Sequence, residues 1–359
     1  MGRSGPGRII ALVVSLGITL AVSGLLYYWF REAAFLGNDY QSTFEPASEN
    51  AEKVHSVYVL VFWLAGAVFV GVMALTLAFS LMFREQEGAE AVQTHGNSRL
   101  EILWTFIPVV IVVAMAVPTF DAIVQIEGDA PDNALEVTVV GHQWWFEFRY
   151  GDEGIVTATD LHIPVDRAVH LSLLSGNYQT DGSFIDNDVI HSFWVPRLMG
   201  KKDIMPGHEN HLWFTPTETG TFLGQCAEFC GLSHAKMRFR VIVQTQEDYD
   251  AWVAQQQTNP ADPTDEQLLA GQQAFSSAGC IGCHTINGVS QGLVGPNLTY
   301  VGERSTLAGG WLDNTPAEME AWIRKPSSVK PGSHMPDGLV DNLSQEQVDA
   351  LVAYLQSLR

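Results

Sequence analysis

The sequence predicts a multidomain membrane protein. Apolar transmembrane helices come first, an all-β sandwich or barrel follows, and a small all-α domain ends the chain. Three observations carry this. Charge-free apolar runs at residues 9–30, 56–83 and 102–120 are each long enough to cross a hydrocarbon core of about 30 Å as a helix. Short apolar and aromatic segments, broken by Gly- and Pro-containing turns, fill residues 136–245, the pattern of a many-stranded β fold. Helix-capping patterns return after residue 264. Of 359 residues, 47% are hydrophobic, and they are concentrated at the N-terminus. A purely soluble protein is excluded, and so is a polytopic transporter.

The first run follows Arg3 and Arg8 and precedes Ala33 and Ala34. Residues 1–34 are therefore a signal peptide or an extra membrane helix. The run exceeds the usual signal-peptide apolar region of about 7–15 residues, and no clean cleavage site follows it. Basic residues before the run place the N-terminus in the cytoplasm. The next two runs form a transmembrane hairpin, residues 54–121. Counting crossings, everything after Phe120 lies outside the cytoplasm. Glu101 stands at the cytoplasmic start of the third run, where a helix N-terminus favours a carboxylate.

Residues 122–256 form the β domain, with strands expected at 136–140, 142–148, 169–174, 211–214 and 237–244. Such short strands read as antiparallel. Trp144 and Trp145 adjoin in one strand, so one faces the core and the other the surface. Residues 257–264, with Pro260 and Pro263, make a semi-rigid linker. Residues 265–359 form the helical domain. Thr264 or Asp265 caps a helix running to about Ser277. Ser344-Gln-Glu-Gln347 is a capping box opening a last helix, with Val348, Leu351, Val352 and Leu355 on one face.

The net charge is −21, and the acidic excess lies on the two soluble parts. Phosphate-backbone binding needs clustered Lys and Arg, so nucleic acid is not expected as a partner. The four cysteines, Cys226, Cys230, Cys280 and Cys283, fall into two close pairs. That spacing suits cofactors better than a disulfide framework.

The first pair lies in Cys226-Ala-Glu-Phe-Cys230-Gly-Leu-Ser-His234-Ala-Lys-Met237. Two thiolates, an imidazole and a thioether make a soft ligand set that suits copper. A second cysteine allows both sulfurs to bridge two ions, and His191 is the candidate for a balancing distant ligand. Structural zinc competes, but zinc sites rarely use Met. A disulfide with a core Met leaves His191 and His234 unexplained. The second pair, Cys280-Ile-Gly-Cys283-His284, is the c-type haem attachment pattern. Met335, in a downstream loop, is the expected distal ligand. Met319, in a predicted helix, is expected to pack, and His334 is a weaker competitor.

With Gly141-His-Gln-Trp-Trp145, the His191 segment and Gly224-Gln-Cys226, residues 54–245 resemble subunit II of haem–copper cytochrome oxidases. The last domain, with Gly295-Pro-Asn-Leu298, looks like a class I cytochrome c. Together they resemble subunit II of the caa3-type cytochrome c oxidases. The resemblance implies a cupredoxin-like Greek-key sandwich holding the dinuclear copper centre CuA. Cys226 and Cys230 would bridge the coppers, with His191 and His234 as terminal ligands, Met237 as a weak ligand and the Glu228 carbonyl as another. The Glu228 side chain would reach a Mg²⁺ shared with subunit I. Trp144 would be the exposed residue that receives electrons, and Glu101 the mouth of a proton pathway. His208 departs from the family pattern and has no assigned role.

The expected function is electron transfer from the fused haem c through CuA to haem a of subunit I, where O2 is reduced to water with proton pumping. Expected partners are oxidase subunits I and III and, as donor, a cytochrome c or cytochrome bc1-type complex. The expected location is the bacterial plasma membrane. A CuA-containing nitrous-oxide or nitric-oxide reductase subunit is the alternative, and a membrane-held electron shuttle is a third reading.

Overall fold

The computed structural model describes residues 5–34, 41–83, 95–179, 181–186 and 188–359. It divides into two units: residues 1–39 with 53–125, and residues 40–52 with 126–359.

The first unit is helical. Helices α1 (Gly5–Ala34), α2 (Glu49–Met82) and α3 (Ser98–Ile126) contain the three apolar runs. In lipid every backbone N–H and C=O must be satisfied within the segment, which an α-helix achieves. By length and composition α2 and α3 can each cross a membrane, with a mean hydropathy of 2.4, and their apolar side chains face outward. Among the described residues α1 carries the apolar stretch Leu12–Tyr28. It packs against α2 through Tyr27, whose ring lies 6.1 Å from Phe62 and 6.2 Å from Trp63. Pro108 and Pro118 sit inside α3, which membrane helices tolerate. The expected loop between the second and third runs lies largely outside the described residues.

The second unit contains a two-sheet sandwich. Its strands are β1 (Leu135–His142), β2 (Trp145–Tyr150), β3 (Ile155–Ala158), β4 (Asp160–Pro164), β5 (Val169–Ser175), β6 (Asn177–Tyr178), β7 (Phe184–Ile185), β8 (His191–Trp194), β9 (Lys202–Ile204), β10 (Asn210–Phe214), β11 (Gly220–Cys226) and β12 (Arg238–Gln244). One sheet runs β10-β5-β1-β2-β3 and the other β4-β12-β11-β8-β9, while β6 and β7 form a separate hairpin. The pairing corrects the antiparallel expectation. β1 pairs with β5, and β12 with β4, in parallel, because the chain crosses between the sheets before returning. Strand β12 shows why these residues form sheet: Phe239, Val241 and Val243 point inward while Arg238 stays exposed, a period of two. The core is aromatic. Phe239 stacks on Phe193 at 4.4 Å and meets Phe146 edge-on at 4.8 Å, pairs worth about 0.5–1.5 kcal/mol each beyond their buried area.

The expected strand 142–148 is divided, because Gln143 and Trp144 form the turn between β1 and β2. A helix not anticipated, α4 (Gln246–Gln256), follows β12. Thr245 caps it by accepting from the Asp248 amide, and Tyr249 and Trp252 are its buried face.

Helices α5 (Glu266–Ser277), α6 (Pro316–Arg324), α7 (Pro326–Val329) and α8 (Gln345–Ser357) build the last region. Asp265 caps α5, and Ser344 with Gln347 completes the expected capping box at α8. Helix α5 crosses α8 at Gly271, where a Cβ would lie 2.1 Å from the Ala350 carbonyl oxygen. Only glycine lets the backbones approach so closely. Met319 is buried in α6, the packing role expected of it.

Candidate copper and haem sites

Strands bring the first donor set together from distant parts of the chain. His191 opens β8, Cys226 closes β11, and Met237 directly precedes β12. The loop between Cys226 and Met237 is closed at its neck, where the Cys226 amide donates to the Met237 carbonyl at 3.0 Å. Within it, Cys226 Sγ lies 3.8 Å from Cys230 Sγ and 3.9 Å from His191 Nδ1. Cys230 Sγ is 3.6 Å from His234 Nδ1 and 3.8 Å from Met237 Sδ. The Glu228 carbonyl oxygen lies 3.2 Å from Cys226 Sγ. All the predicted donors therefore converge on one place.

The sulfurs stand far beyond the ~2.05 Å of a disulfide, and both cysteines are free and buried. Among the described residues His191, Cys226 and Cys230 form a cluster able to hold a metal ion, their ligand atoms within 4.8 Å of one another. The Cys230 sulfur beside Cys226 holds that thiol down to about 3, with the His191 ring adding to the effect against burial. The Cys230 thiol is raised because Cys226 carries the charge. Burial disfavours a charged His191, but Asp188 and Cys226 outweigh it and raise its pKa. Nδ1 of each imidazole faces sulfur, and His191 Nε2 is buried with no hydrogen-bond partner among the described residues. This soft, converging set fits copper, with the rest of the cage held by the sheet.

Neighbouring residues pack and hydrogen-bond around the cage, some of them left unassigned by the sequence. Gly141 faces the His191 ring, where a Cβ would come within 2.8 Å of Cδ2. Gln143 Nε2 and Trp144 Nε1 both donate to the Cys230 carbonyl, at 2.7 and 3.0 Å. Gly141 and Gln143 sat inside a quoted motif, whereas Asp188 carried no signal beyond lying three residues before His191.

The expectation that Trp144 is exposed is corrected: it is 6% exposed. Gly332 and His334 of the helical region lie on it. A Cβ at Gly332 would fall 2.8 Å from Trp144 Cη2, and the His334 ring centroid is 6.1 Å from the indole.

The haem motif follows α5, whose exit is turned by Gly279 at φ +80°. Cys280 and Met335 are partly buried against the core of the helical region, which includes Phe275, Met319 and Leu351, while Cys283 is exposed. His284 Nδ1 lies 2.8 Å from the Pro296 carbonyl. That bond fixes the ring and leaves Nε2 for iron, the usual partnership of a ligating histidine. Gly295 makes the approach possible, since a Cβ there would sit 2.5 Å from His284 Cε1. Burial lowers the His284 pKa, against the pull of the Pro296 carbonyl. These residues fit a covalently attached haem. Glu101 is exposed in the first turn of α3, and its part of the molecule is a unit of its own.

A two-sheet sandwich with a dithiol–imidazole–thioether cluster, joined to a Cys-x-x-Cys-His domain and preceded by membrane-length helices, defines a membrane-anchored electron-transfer protein. The family "Cytochrome C oxidase subunit II, periplasmic domain" matches residues 135–245, its transmembrane domain matches 36–122, and "Cytochrome c" matches 268–359. Cytochrome c oxidase subunit 2 of Alkalihalophilus pseudofirmus is 37% identical over 90% of this chain and 92% of its own length. That of Bacillus sp. PS3 is 34% identical over 90% and 93%. The crystal structure of the periplasmic domain of subunit II of cytochrome oxidase of Bradyrhizobium japonicum is 26% identical, covers 35% of this chain and 94% of that one, and superposes with a TM-score of 0.31. The chain belongs to the cytochrome c oxidase subunit 2 family and carries a fused C-terminal cytochrome c domain. The names of its relatives support the oxidase over the nitrogen-oxide reductases. As an oxidase subunit II it works with other oxidase subunits at a membrane.

Proposed function

We propose that this subunit takes electrons singly from its own cytochrome domain, passes them through the sandwich, and delivers them to haem a of subunit I. The observation that carries this route is the contact over Trp144. The loop bearing Met335 lies on the indole, and the indole N–H donates to the carbonyl of Cys230. Side chains and one hydrogen bond thus connect the two donor sets.

When bound, the copper pair and the haem each supply one-electron storage with little change of geometry. Cys226, Cys230, His191 and His234 would hold the coppers, with Met237 and the Glu228 carbonyl as weaker ligands. Cys280 and Cys283 would attach the haem, and His284 and Met335 would ligate its iron. Glu228, whose carboxylate is only half-buried, would share a Mg²⁺ with subunit I. Phe229, 71% exposed beside it, is apolar surface suited to a partner subunit. Glu101 would mark the mouth of a proton pathway. Subunits I and III would complete the oxidase in a bacterial plasma membrane, with both metal domains outside. A cytochrome c or bc1-type complex would feed it.

The test is Trp144→Phe. It removes the indole N–H and keeps an aromatic ring, so electron arrival at copper slows while the copper spectrum persists. Unchanged arrival rates would refute the route.

A further inference from the structure

Lys330 follows α7 and is 4% exposed. An ammonium is costly to bury unless its donors are paired. Here it donates to the Trp144 carbonyl of the sandwich and, at 2.8 Å, to the Ala308 carbonyl of the cytochrome region. The backbone around Ala308 is shaped for this. Ala308, Gly309 and Gly310 have φ of 52°, 64° and 76°, the left-handed region that favours glycine. A Cβ on Gly309 would lie 2.5 Å from the Trp144 carbonyl oxygen.

Other bonds flank the lysine. The Arg238 amide donates to the Gly309 carbonyl at 2.9 Å. Ser233 Oγ donates to the Pro331 carbonyl at 2.9 Å, and Lys236 Nζ donates to the Val329 carbonyl. Trp311 lies under Arg238, whose guanidinium carbon is 4.7 Å from its ring centroid. The seam therefore runs alongside the loop that holds Cys230 and His234, with the buried Lys330 Nζ bonded to both sides.

We propose that Lys330 is a positioning residue that locks the Met335-bearing loop onto Trp144. The fused cytochrome is then held docked on its own sandwich instead of swinging on its linker, and the Trp144 face is closed to diffusible donor proteins. This rests on the electron route proposed above. The reason a lysine serves is geometric. A long stem reaches through the seam, and one ammonium satisfies a carbonyl from each side. Methionine keeps the stem and leaves both carbonyls unpaired.

The test uses the full chain in the assembled oxidase, as Lys330→Met and, independently of the buried charge, Gly332→Ala, whose methyl wedges the loop from the indole. The first readout is hydroxyl-radical footprinting of Trp144 by mass spectrometry. The indole is protected in the wild type, and both variants increase its oxidation by about tenfold or more, the weakening expected when buried carbonyls lose their donor. The second readout is haem c-to-copper transfer after photoreduction, which falls by about tenfold or more, since displacements near 1 Å already cost large factors. Unchanged protection in both variants, or a wild-type Trp144 as oxidisable as in the variants, overturns the latch. If the electron route itself fails, the wild type shows no haem c-to-copper transfer although the footprints still differ. If only the latch fails, wild-type transfer is fast and both variants match it.

Discussion

The sandwich and the cytochrome region bind their metals by different structural means. In the sandwich, hydrogen-bonded strands gather the donors. β11 pairs with both β8 and β12, so His191, Cys226 and the neck of the copper loop are tied to the ladder. In the cytochrome region, loops carry the haem residues. Cys280, Cys283 and His284 follow one helix, and Met335 lies beyond α7 in a separate loop. A ladder pins its residues whatever they bind. A set of loops depends on covalent attachment and on a glycine such as Gly295 to bring the ring of His284 against its carbonyl.

Breaking one side tests that contrast. Cys226→Ser should have the largest effect: copper absorption disappears, while the sandwich loses only about 1–3 kcal/mol of stability, read by denaturant unfolding. Loss of the β signal together with the copper would mean that the ladder does not hold the cage alone. On the other side, Met335→Ala should leave the haem attached through Cys280 and Cys283 and remove the weak sulfur–iron absorption band. It should also destabilise the cytochrome region by about 1–3 kcal/mol, a fraction of a buried truncation. Survival of that band would move the distal ligand elsewhere.

The smallest effect sharpens the seam between the regions. Burial pushes Asp160 up to about 6, against the neighbouring Arg304 and Arg240. The folded chain then keeps a proton that the unfolded chain releases between pH 3.8 and about 6. Stability from this group is greatest at low pH and is lost as pH rises through that window, by about 1–3 kcal/mol. Asp160→Asn should flatten the slope in pH-dependent denaturation, and an unchanged slope would assign it to other carboxylates.

Local chemistry was readable in the residues themselves. Thr264 or Asp265, and Ser344, announced α5 and α8 because a cap needs only its own first turn, and Asp265 is the one that caps. The donors of both sites were readable because soft ligands at close spacing have few other uses. Thr245 and Asp248 carried a capping signal for α4 as well, hidden by the strand pattern before it. What could not be read was distant. The parallel pairing of β1 with β5 depends on crossovers between sheets. The resemblance made Trp144 an exposed residue, but Gly332 and His334, far along the chain, cover its ring. Among the lysines of an acidic chain, nothing local separates a buried one from the rest.

Metal and haem analysis of the intact, natively purified oxidase, with an EPR spectrum of the same sample, bears most directly on the division of four cysteines between two cofactors. The account predicts two coppers in a shared mixed-valence signal assigned to this chain and one covalently held haem c. Zinc in the Cys226–Cys230 cluster, a disulfide between those sulfurs, or the hyperfine pattern of a single copper would contradict it.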